Sequence, residues 1–213
     1  MESLNLKGVF FVSGVDTDCG KTHVTAQIAA RLHSDGVRVI TQKPVQTGCT
    51  SVADDLAVHR KAMGSGWLPE DVAGLTCSYL FKKPASPHLA AQLEDVQIDP
   101  SKILADTRKL AECYDVVLVE GAGGLMVPLT PDLMTVDFVA QAHLPLILVT
   151  TSHLGGINHA ALSIEACKHH GVNLQYVVFN RFVSDDTVLS DDALCMISRI
   201  AKDCFPDCQI VVS

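Results

Sequence analysis

A glycine-rich segment that ends in Gly-Lys-Thr is the clearest chemical pattern in the sequence. It runs from Gly14 to Thr22, after the apolar run Val9–Ser13 and before a segment of helical periodicity. In that order the glycines let backbone amides turn toward phosphate oxygens, while Lys21 can neutralise phosphates and the Thr22 hydroxyl can bind Mg²⁺. Five residues separate Gly14 from Gly20, one more than in the standard P-loop pattern. The segment predicts binding of a nucleoside triphosphate rather than a chance glycine turn.

Two further polar residues follow apolar runs. Glu120 comes directly after Val116–Val119 and precedes three glycines, among them Gly123, and Lys43 comes shortly after Val37–Thr41. A carboxylate at a strand end beside a phosphate loop can hold Mg²⁺, although it could instead cap the strand in solvent. A lysine at the same edge can meet a phosphate and a carboxylate-like group, although lysines are mostly solvated.

The elements that must position these residues alternate along the chain. The apolar runs contain consecutive apolar residues, as strands covered on both faces by helices require. They occur at Val9–Ser13, Val37–Thr41, Val116–Val119, Leu146–Thr150, Tyr176–Phe179 and, more weakly, Ile210–Val212. Helical segments are predicted at Lys21–Ser34, Ser101–Cys113, Val136–Ala142, Ile157–His169 and Asp191–Asp203. The pattern predicts a three-layer α/β/α fold of the P-loop NTPase type with a mostly parallel central sheet, in a single domain over residues 1–213. The stretch from Cys49 to Asp99 breaks the alternation and is expected to be an insertion over one end of the sheet.

The charge and hydropathy of the sequence limit the classes of partner that the protein can have. The formal net charge is −8, so we expect no broad attraction for nucleic acid or an anionic membrane surface. No apolar run approaches the roughly 20 residues of a membrane-spanning helix. The eight cysteines include no C-x-x-C pair, and the N-terminus resembles no secretory signal, which favours a reducing cytoplasmic location.

With these segments in place, the sequence resembles the dethiobiotin synthetase family over about residues 8–181. The family's phosphate loop is similar to G-x-D-T-x-x-G-K-T, and the extra residue of this chain fits that frame. The residues in the frame are Gly14, Asp16, Thr17, Gly20, Lys21 and Thr22. Further matches are Lys43-Pro44-Val45, Thr47-Gly48, Asp54 before Leu56, Ser86-Pro87-His88, Glu120 to Gly124, Leu154-Gly155, Ile157-Asn158-His159 and Asn180.

The resemblance implies a reaction and its partners. The family makes the ureido ring of dethiobiotin from 7,8-diaminopelargonic acid, CO₂ and ATP, with Mg²⁺, and releases ADP and phosphate. The implied enzyme is an ATP-dependent carbon–nitrogen ligase of biotin biosynthesis. It is expected to act as a homodimer whose substrate site lies at the interface.

The resemblance also implies roles for individual residues. Lys43, Lys21 and Thr17 are the expected catalytic residues, with Lys43 facing the carbamate. The metal ligands are expected to be Thr22, Asp54 and Glu120. Nucleotide contacts are expected at Asp18, Cys19, Gly20, Lys21, Thr22, His23, Glu120, Gly123 and Asn180. Substrate contacts are expected at Thr17, Lys43, Thr47, Leu154, Gly155 and Asn158.

Some of these residues have simpler interpretations. Asn180 is expected to read the purine, because an amide offers both a donor and an acceptor, but it could also be a turn former at a strand end. Asn158 could be a helix N-cap as well as a substrate contact. Cys19 is either a small residue that fits the turn or a reactive thiol beside a helix N-terminus and a lysine.

Two other functions share this type of sheet. A partitioning or positioning ATPase of the ParA or MinD type is a nucleotide-dependent dimer switch, but such proteins usually have an additional lysine early in the phosphate loop, where this chain has Val15, Asp16 and Thr17. An amide-forming synthase of the cobyric acid kind normally carries a glutaminase domain, for which this chain has no room.

Overall fold

The computed structural model describes residues 4–181 and 187–213. In chain order, the elements are β1 (Gly8–Gly14), α1 (Lys21–Ser34), β2 (Val39–Gln42), β3 (Val45–Thr47), α2 (Asp54–Met63), α3 (Pro69–Val72), β4 (Tyr79–Phe81), α4 (Pro87–Leu93), α5 (Pro100–Cys113), β5 (Val116–Gly124), β6 (Pro128–Thr130), β7 (Leu133–Met134), α6 (Thr135–Gln141), β8 (Leu146–Thr151), α7 (Gly156–His170), β9 (Leu174–Asn180), α8 (Thr187–Cys204) and β10 (Gln209–Val212).

A six-stranded sheet lies at the centre, in the order β10-β9-β8-β1-β5-β2. All neighbouring strands in it are parallel. Parallel strands with the same direction bring their carboxyl ends to one edge, so β1, β2 and β5 deliver their following loops to the same place. The predicted strands and the parallel sheet are confirmed.

The sheet is buried on both faces, which explains why its strands are apolar at consecutive positions. Along β1, Phe10 and Val12 belong to the core on the side of α1, whereas Phe11 belongs to the core on the opposite side. The first core includes Ile28 of α1, and the second includes Ile164 of α7. The predicted three-layer α/β/α arrangement is therefore confirmed.

The segment from Cys49 to Asp99 differs from the expectation. It contains α2, α3, β4 and α4, which the sequence did not predict, and α2 packs alongside α1. Sequence periodicity missed α2 because its buried face combines the apolar Leu56 and Met63 with the polar His59 and Arg60.

No helix in residues 4–181 and 187–213 is long and apolar enough to cross a membrane.

Candidate active site

A cavity of about 510 Å³ opens where the P-loop meets the carboxyl ends of β2 and β5. The residues of the P-loop, the two strand ends and the start of α2 line it together. The predicted residues that line this cavity are Thr17, Asp18, Gly20, Lys21, Thr22, His23, Lys43, Thr47, Glu120 and Gly123. The structure thus brings together most of the residues predicted to bind nucleotide, along with three predicted substrate contacts.

Glu120 lies within β5 and is completely buried. Its Oε1 accepts hydrogen bonds from Thr22 Oγ1 at 2.9 Å and Lys43 Nζ at 3.0 Å, and its Oε2 lies 3.0 Å from His59 Nε2. Burial alone would raise the pKa of Glu120, but the charge of Lys43 and the hydrogen bonds from His59 and Lys43 lower it below its usual range. The carboxylate is therefore ionised and enclosed, and the interpretation as a solvated strand cap is wrong.

Lys43 is the cation of this cluster, and its side chain is 5% exposed. Its Nζ lies 2.6 Å from Asp55 Oδ2 and donates to Glu120 Oε1 at 3.0 Å and to the Gly121 carbonyl at 2.9 Å. Burial would lower the pKa of Lys43, but the charges of Glu120 and Asp55 raise it above its ordinary value. An ammonium has three hydrogens, so these three contacts use all of them. The interpretation as a solvated loop lysine is wrong.

The P-loop is fixed by contacts with its own backbone and with β9. Lys21 Nζ donates to the Asp16 carbonyl at 2.7 Å, and Asn180 Nδ2 donates to the Cys19 carbonyl at 3.0 Å. Gly20 has a φ of 93°, and a Cβ built on it would collide with the Asn180 amide. A glycine is therefore required at this position, both for the left-handed backbone and for the close approach of Asn180.

Asn180 is the last residue of β9, as the sequence predicted, and is buried. One of its contacts supports the phosphate loop, and its predicted role in reading the purine stays a prediction. Thr17, Asp18 and His23 are exposed at the mouth of the cavity. Cys19 is 2% exposed, which favours its interpretation as a residue that fits the turn.

The oxygen donors at the bottom of the cavity suit a hard divalent cation. Thr22 and Glu120 lie within 2.9 Å of each other, and Mg²⁺ characteristically takes one or two carboxylates and completes its shell with water and phosphate oxygens. Asp54, the third predicted ligand, is exposed at the first residue of α2, whereas its neighbour Asp55 lines the cavity. Within the described residues, no group of three or more His, Cys, Asp and Glu residues is placed to hold a metal ion. The Asp54 assignment stays a prediction.

The remaining predicted substrate residues lie elsewhere on this chain. Leu154, Gly155 and Asn158 surround the start of α7, are all exposed and do not line the cavity. This helix start is beside the P-loop, since His159 Nδ1 lies 3.6 Å from Asp16 Oδ2. The N-cap of α7 is Gly155, so the interpretation of Asn158 as an N-cap is wrong.

Two residues of the cluster were not predicted. Asp55 pairs with Lys43, and His59 contacts Glu120 from the buried face of α2. Asp55 could have been found from its position beside Asp54. His59 carried no such signal, because the helix that presents it was not predicted.

Comparison with known proteins adds to this geometry. A family model described as an AAA domain matches residues 8–202. The ATP-dependent dethiobiotin synthetase BioD 2 of Haemophilus ducreyi is 43% identical over 204 residues, which cover 96% of this chain and 97% of that relative. The protein of the same name from Haemophilus influenzae is 49% identical over 181 residues, covering 85% of this chain and 95% of that relative.

Solved structures show the same fold at low sequence identity. A ParA family ATPase from Chlorobium tepidum is similar with a TM-score of 0.55 and 18% identity, over 98% of this chain and 85% of that chain. This likeness is confined to the fold, whereas the sequence relatives match nearly end to end. The chain belongs to the dethiobiotin synthetase family.

Proposed function

We propose that this protein is an ATP-dependent dethiobiotin synthetase of biotin biosynthesis, acting on 7,8-diaminopelargonic acid, CO₂ and ATP. The curated relatives carry that activity in their names and match most of the chain. The structural observation that carries the proposal is the buried contact of Glu120 with Thr22 and Lys43, directly beside the P-loop. Lys43 lies outside the P-loop but lines the same cavity, which supports a role for it beside the phosphates.

The reaction has three steps. One amine of the diamine takes up CO₂ to form a carbamate and releases a proton. A carbamate oxygen then attacks the γ-phosphorus of ATP, and ADP leaves to give a carbamic–phosphoric anhydride. The second amine attacks the carbamate carbon, gives up a proton, expels phosphate and closes the ureido ring. Such phosphoryl transfer relies mainly on positioning and charge neutralisation.

The chain's residues are assigned to those tasks. Lys21 contacts the β- and γ-phosphates, and Lys43 binds the carbamate oxygens and offsets their charge. Thr17 and Thr47 contact the diamine or its carbamate through their hydroxyl groups. The backbone of residues 18–23 surrounds the phosphates, and Gly123 borders them. The side-chain amide of Asn180 contacts the purine.

Thr22, Asp54 and Glu120 are the residues that would hold Mg²⁺. The donor chemistry supports this, because Thr22 and Glu120 place hard oxygens together at the base of the cavity. A Mg²⁺ ion bound by these residues would offset the negative charge of the triphosphate during phosphoryl transfer.

The quaternary state and location are part of the proposal. The start of α7, with Leu154, Gly155 and Asn158, receives the substrate carboxylate across a homodimer interface. These three residues are exposed and do not line the cavity of the same chain, which supports this assignment. All eight cysteines are free thiols, which supports a reducing cytoplasmic location. A single domain, residues 1–213, carries these functions.

The test measures phosphate release from ATP with Mg²⁺ and bicarbonate, in the presence and absence of 7,8-diaminopelargonic acid, with mass spectrometry of the product. We expect phosphate release to depend on the diamine and to accompany a product with the mass of dethiobiotin. Hydrolysis that is independent of the diamine and yields no new product would contradict the proposal and favour an ATPase switch.

A further inference from the structure

A continuous chain of buried polar side chains leads from the insertion to Glu120. Arg60 Nε and Nη2 each donate to Asp71 at 2.8 Å, and Arg60 Nη1 donates to Thr41 Oγ1 at 2.7 Å. Thr41 Oγ1 lies 3.0 Å from His59 Nδ1, and His59 Nε2 lies 3.0 Å from Glu120 Oε2. We call these five residues the Asp71–Glu120 chain. Thr41, His59 and Glu120 are completely buried, and the Arg60 and Asp71 side chains are only 2% and 4% exposed.

The direction of each hydrogen bond in this chain follows from the chemistry of its members. Arginine is only a donor, so Thr41 Oγ1 accepts from Arg60 and keeps its own proton to donate. Among the residues that the structure describes, His59 Nδ1 is the acceptor available to that proton. Nδ1 therefore carries no hydrogen, and the ring's proton is on Nε2, which donates to Glu120 Oε2. The opposite arrangement would leave a buried hydroxyl proton without an acceptor, which is costly.

The two carboxylate oxygens of Glu120 consequently have different hydrogen-bond partners. Oε2 accepts a hydrogen bond from His59, while Oε1 accepts hydrogen bonds from Thr22 and Lys43 on the side of the cavity. A carboxylate held at one oxygen cannot rotate freely about its last bond, so the other oxygen keeps its direction. Residues that orient a metal-binding carboxylate in this way typically change metal affinity or activity by about 10- to 100-fold when they are replaced.

We propose that His59 is a positioning residue for Glu120: Thr41 and Arg60 fix its Nε2–H tautomer, and its hydrogen bond to Oε2 aims Oε1 at the phosphate and Mg²⁺ side of the cavity. This inference rests on the proposed function, which assigns Glu120 to Mg²⁺. His59 touches neither substrate nor nucleotide in this role. The Arg60–Asp71 pair anchors the chain in the insertion.

The tautomer of His59 can be tested without measuring enzyme activity. The full chain, labelled with ¹⁵N at histidine, is studied by long-range ¹H–¹⁵N correlation NMR near neutral pH, and the His59 signals are assigned by their loss in His59→Gln. We expect a ring protonated at Nε2 alone. Protonation at Nδ1, or at both nitrogens, would overturn the proposal. Thr41→Val should allow the His59 ring to adopt either tautomer. Thr107→Val removes a buried hydroxyl that is not part of the Asp71–Glu120 chain, and it should leave the tautomer unchanged.

Positioning is tested by calorimetric titration of the variants with ADP, once with Mg²⁺ and once with EDTA. We expect His59→Leu to reduce the gain in ADP affinity caused by Mg²⁺ by about tenfold or more, while affinity in EDTA changes less than about twofold. His59→Gln, which keeps a donor and an acceptor, should recover most of the gain. A purely structural role would weaken ADP binding equally in both buffers.

The outcomes separate the two proposals. A folded His59→Leu protein that keeps the full Mg²⁺-dependent gain overturns the positioning role. If His59→Leu does not fold, the wild-type tautomer and Thr41→Val decide the matter, and retention of the full gain by Thr41→Val would also count against it. A wild-type protein that makes no dethiobiotin would overturn the proposed function, yet the NMR and ADP measurements would still test His59.

Discussion

Replacement of Lys43 by methionine removes the cation from the buried cluster while keeping a side chain of similar length. The completely buried Glu120 then loses its counter-charge, and Asp55 loses its partner at 2.6 Å. Removing one partner of a buried ion pair costs about 3–5 kcal/mol, because the remaining charge stays desolvated. Asp55 is 23% exposed and can turn to water, so we assign most of the loss to Glu120.

The loss should depend on pH in a defined direction. In the wild-type protein the pKa of Glu120 is lowered, so its stabilising contribution is present above its unfolded value of about 4.3 and is lost as pH falls through the folded value. The pKa of Lys43 is raised, so its contribution is present below about 10.4 and is lost as pH rises through the folded value. Without the charge of Lys43, we expect burial to outweigh the remaining hydrogen bond from His59 and to raise the pKa of Glu120. The free energy of unfolding of the variant, relative to wild type, should then fall between pH 5 and pH 8, by about 1.4 kcal/mol for each pH unit in which folded Glu120 stays protonated.

The measurement is urea unfolding followed by circular dichroism at pH 5 and pH 8, in EDTA. Lys102→Met is the matched control, because Lys102 pairs with Asp106 at 2.7 Å but is 46% exposed and should contribute less than about 1 kcal/mol. A loss below about 1 kcal/mol for Lys43→Met at pH 8, or equal losses at both pH values, would refute this reasoning.

Two further predictions concern the P-loop and a thiol. Gly20→Ala should weaken ADP binding and lower Tm, because Gly20 has a φ of 93° and a Cβ there would collide with the Asn180 amide. Gly36 is the control: its φ is 81°, but a Cβ there would have no neighbour within 4 Å. Gly36→Ala should therefore cost only the backbone strain of roughly 1–2 kcal/mol. Calorimetry and thermal unfolding check this, and equal effects of the two substitutions would argue against the collision. Burial raises the pKa of Cys77 from 9.0 to about 11, so its alkylation at pH 8 should be about 100-fold slower than that of an unperturbed thiol. Mass spectrometry should find the exposed Cys113 and Cys195 modified before Cys77, and early modification of Cys77 would be inconsistent with its burial.

The parts of the fold that were predictable from the sequence are those with local causes. Consecutive apolar residues identify buried parallel strands, and the spacing of Gly14, Gly20 and Lys21 identifies the phosphate loop. Lys43 and Glu120 could be placed near one edge because Lys43 follows β2 and Glu120 follows the apolar run Val116–Val119, although β5 continues past Glu120 to Gly124. These residues meet in the structure for that reason.

The parts that were missed depend on contacts between distant segments. His59 and Arg60 lie on the buried face of α2, and their polar types conceal the helical pattern that would have predicted it. The choice between Asp54 and Asp55 depends on the start of that helix, since one residue rotates a side chain by about 100°.

If Lys43 binds the carbamate, as proposed above, its saturated hydrogen bonding makes that binding an exchange of one anion for another. Each ammonium hydrogen already has an acceptor, and of these acceptors only Asp55 is a partly exposed side chain. A carbamate that reaches Lys43 must therefore displace the Asp55 carboxylate, and its net affinity is the difference between two similar ionic contacts. Small anions such as chloride face the same competition but lack the rest of the substrate to offset it. Under the proposed function, the Asp55 contact would protect Lys43 from adventitious ligands and would be broken when a complete substrate fills the cavity.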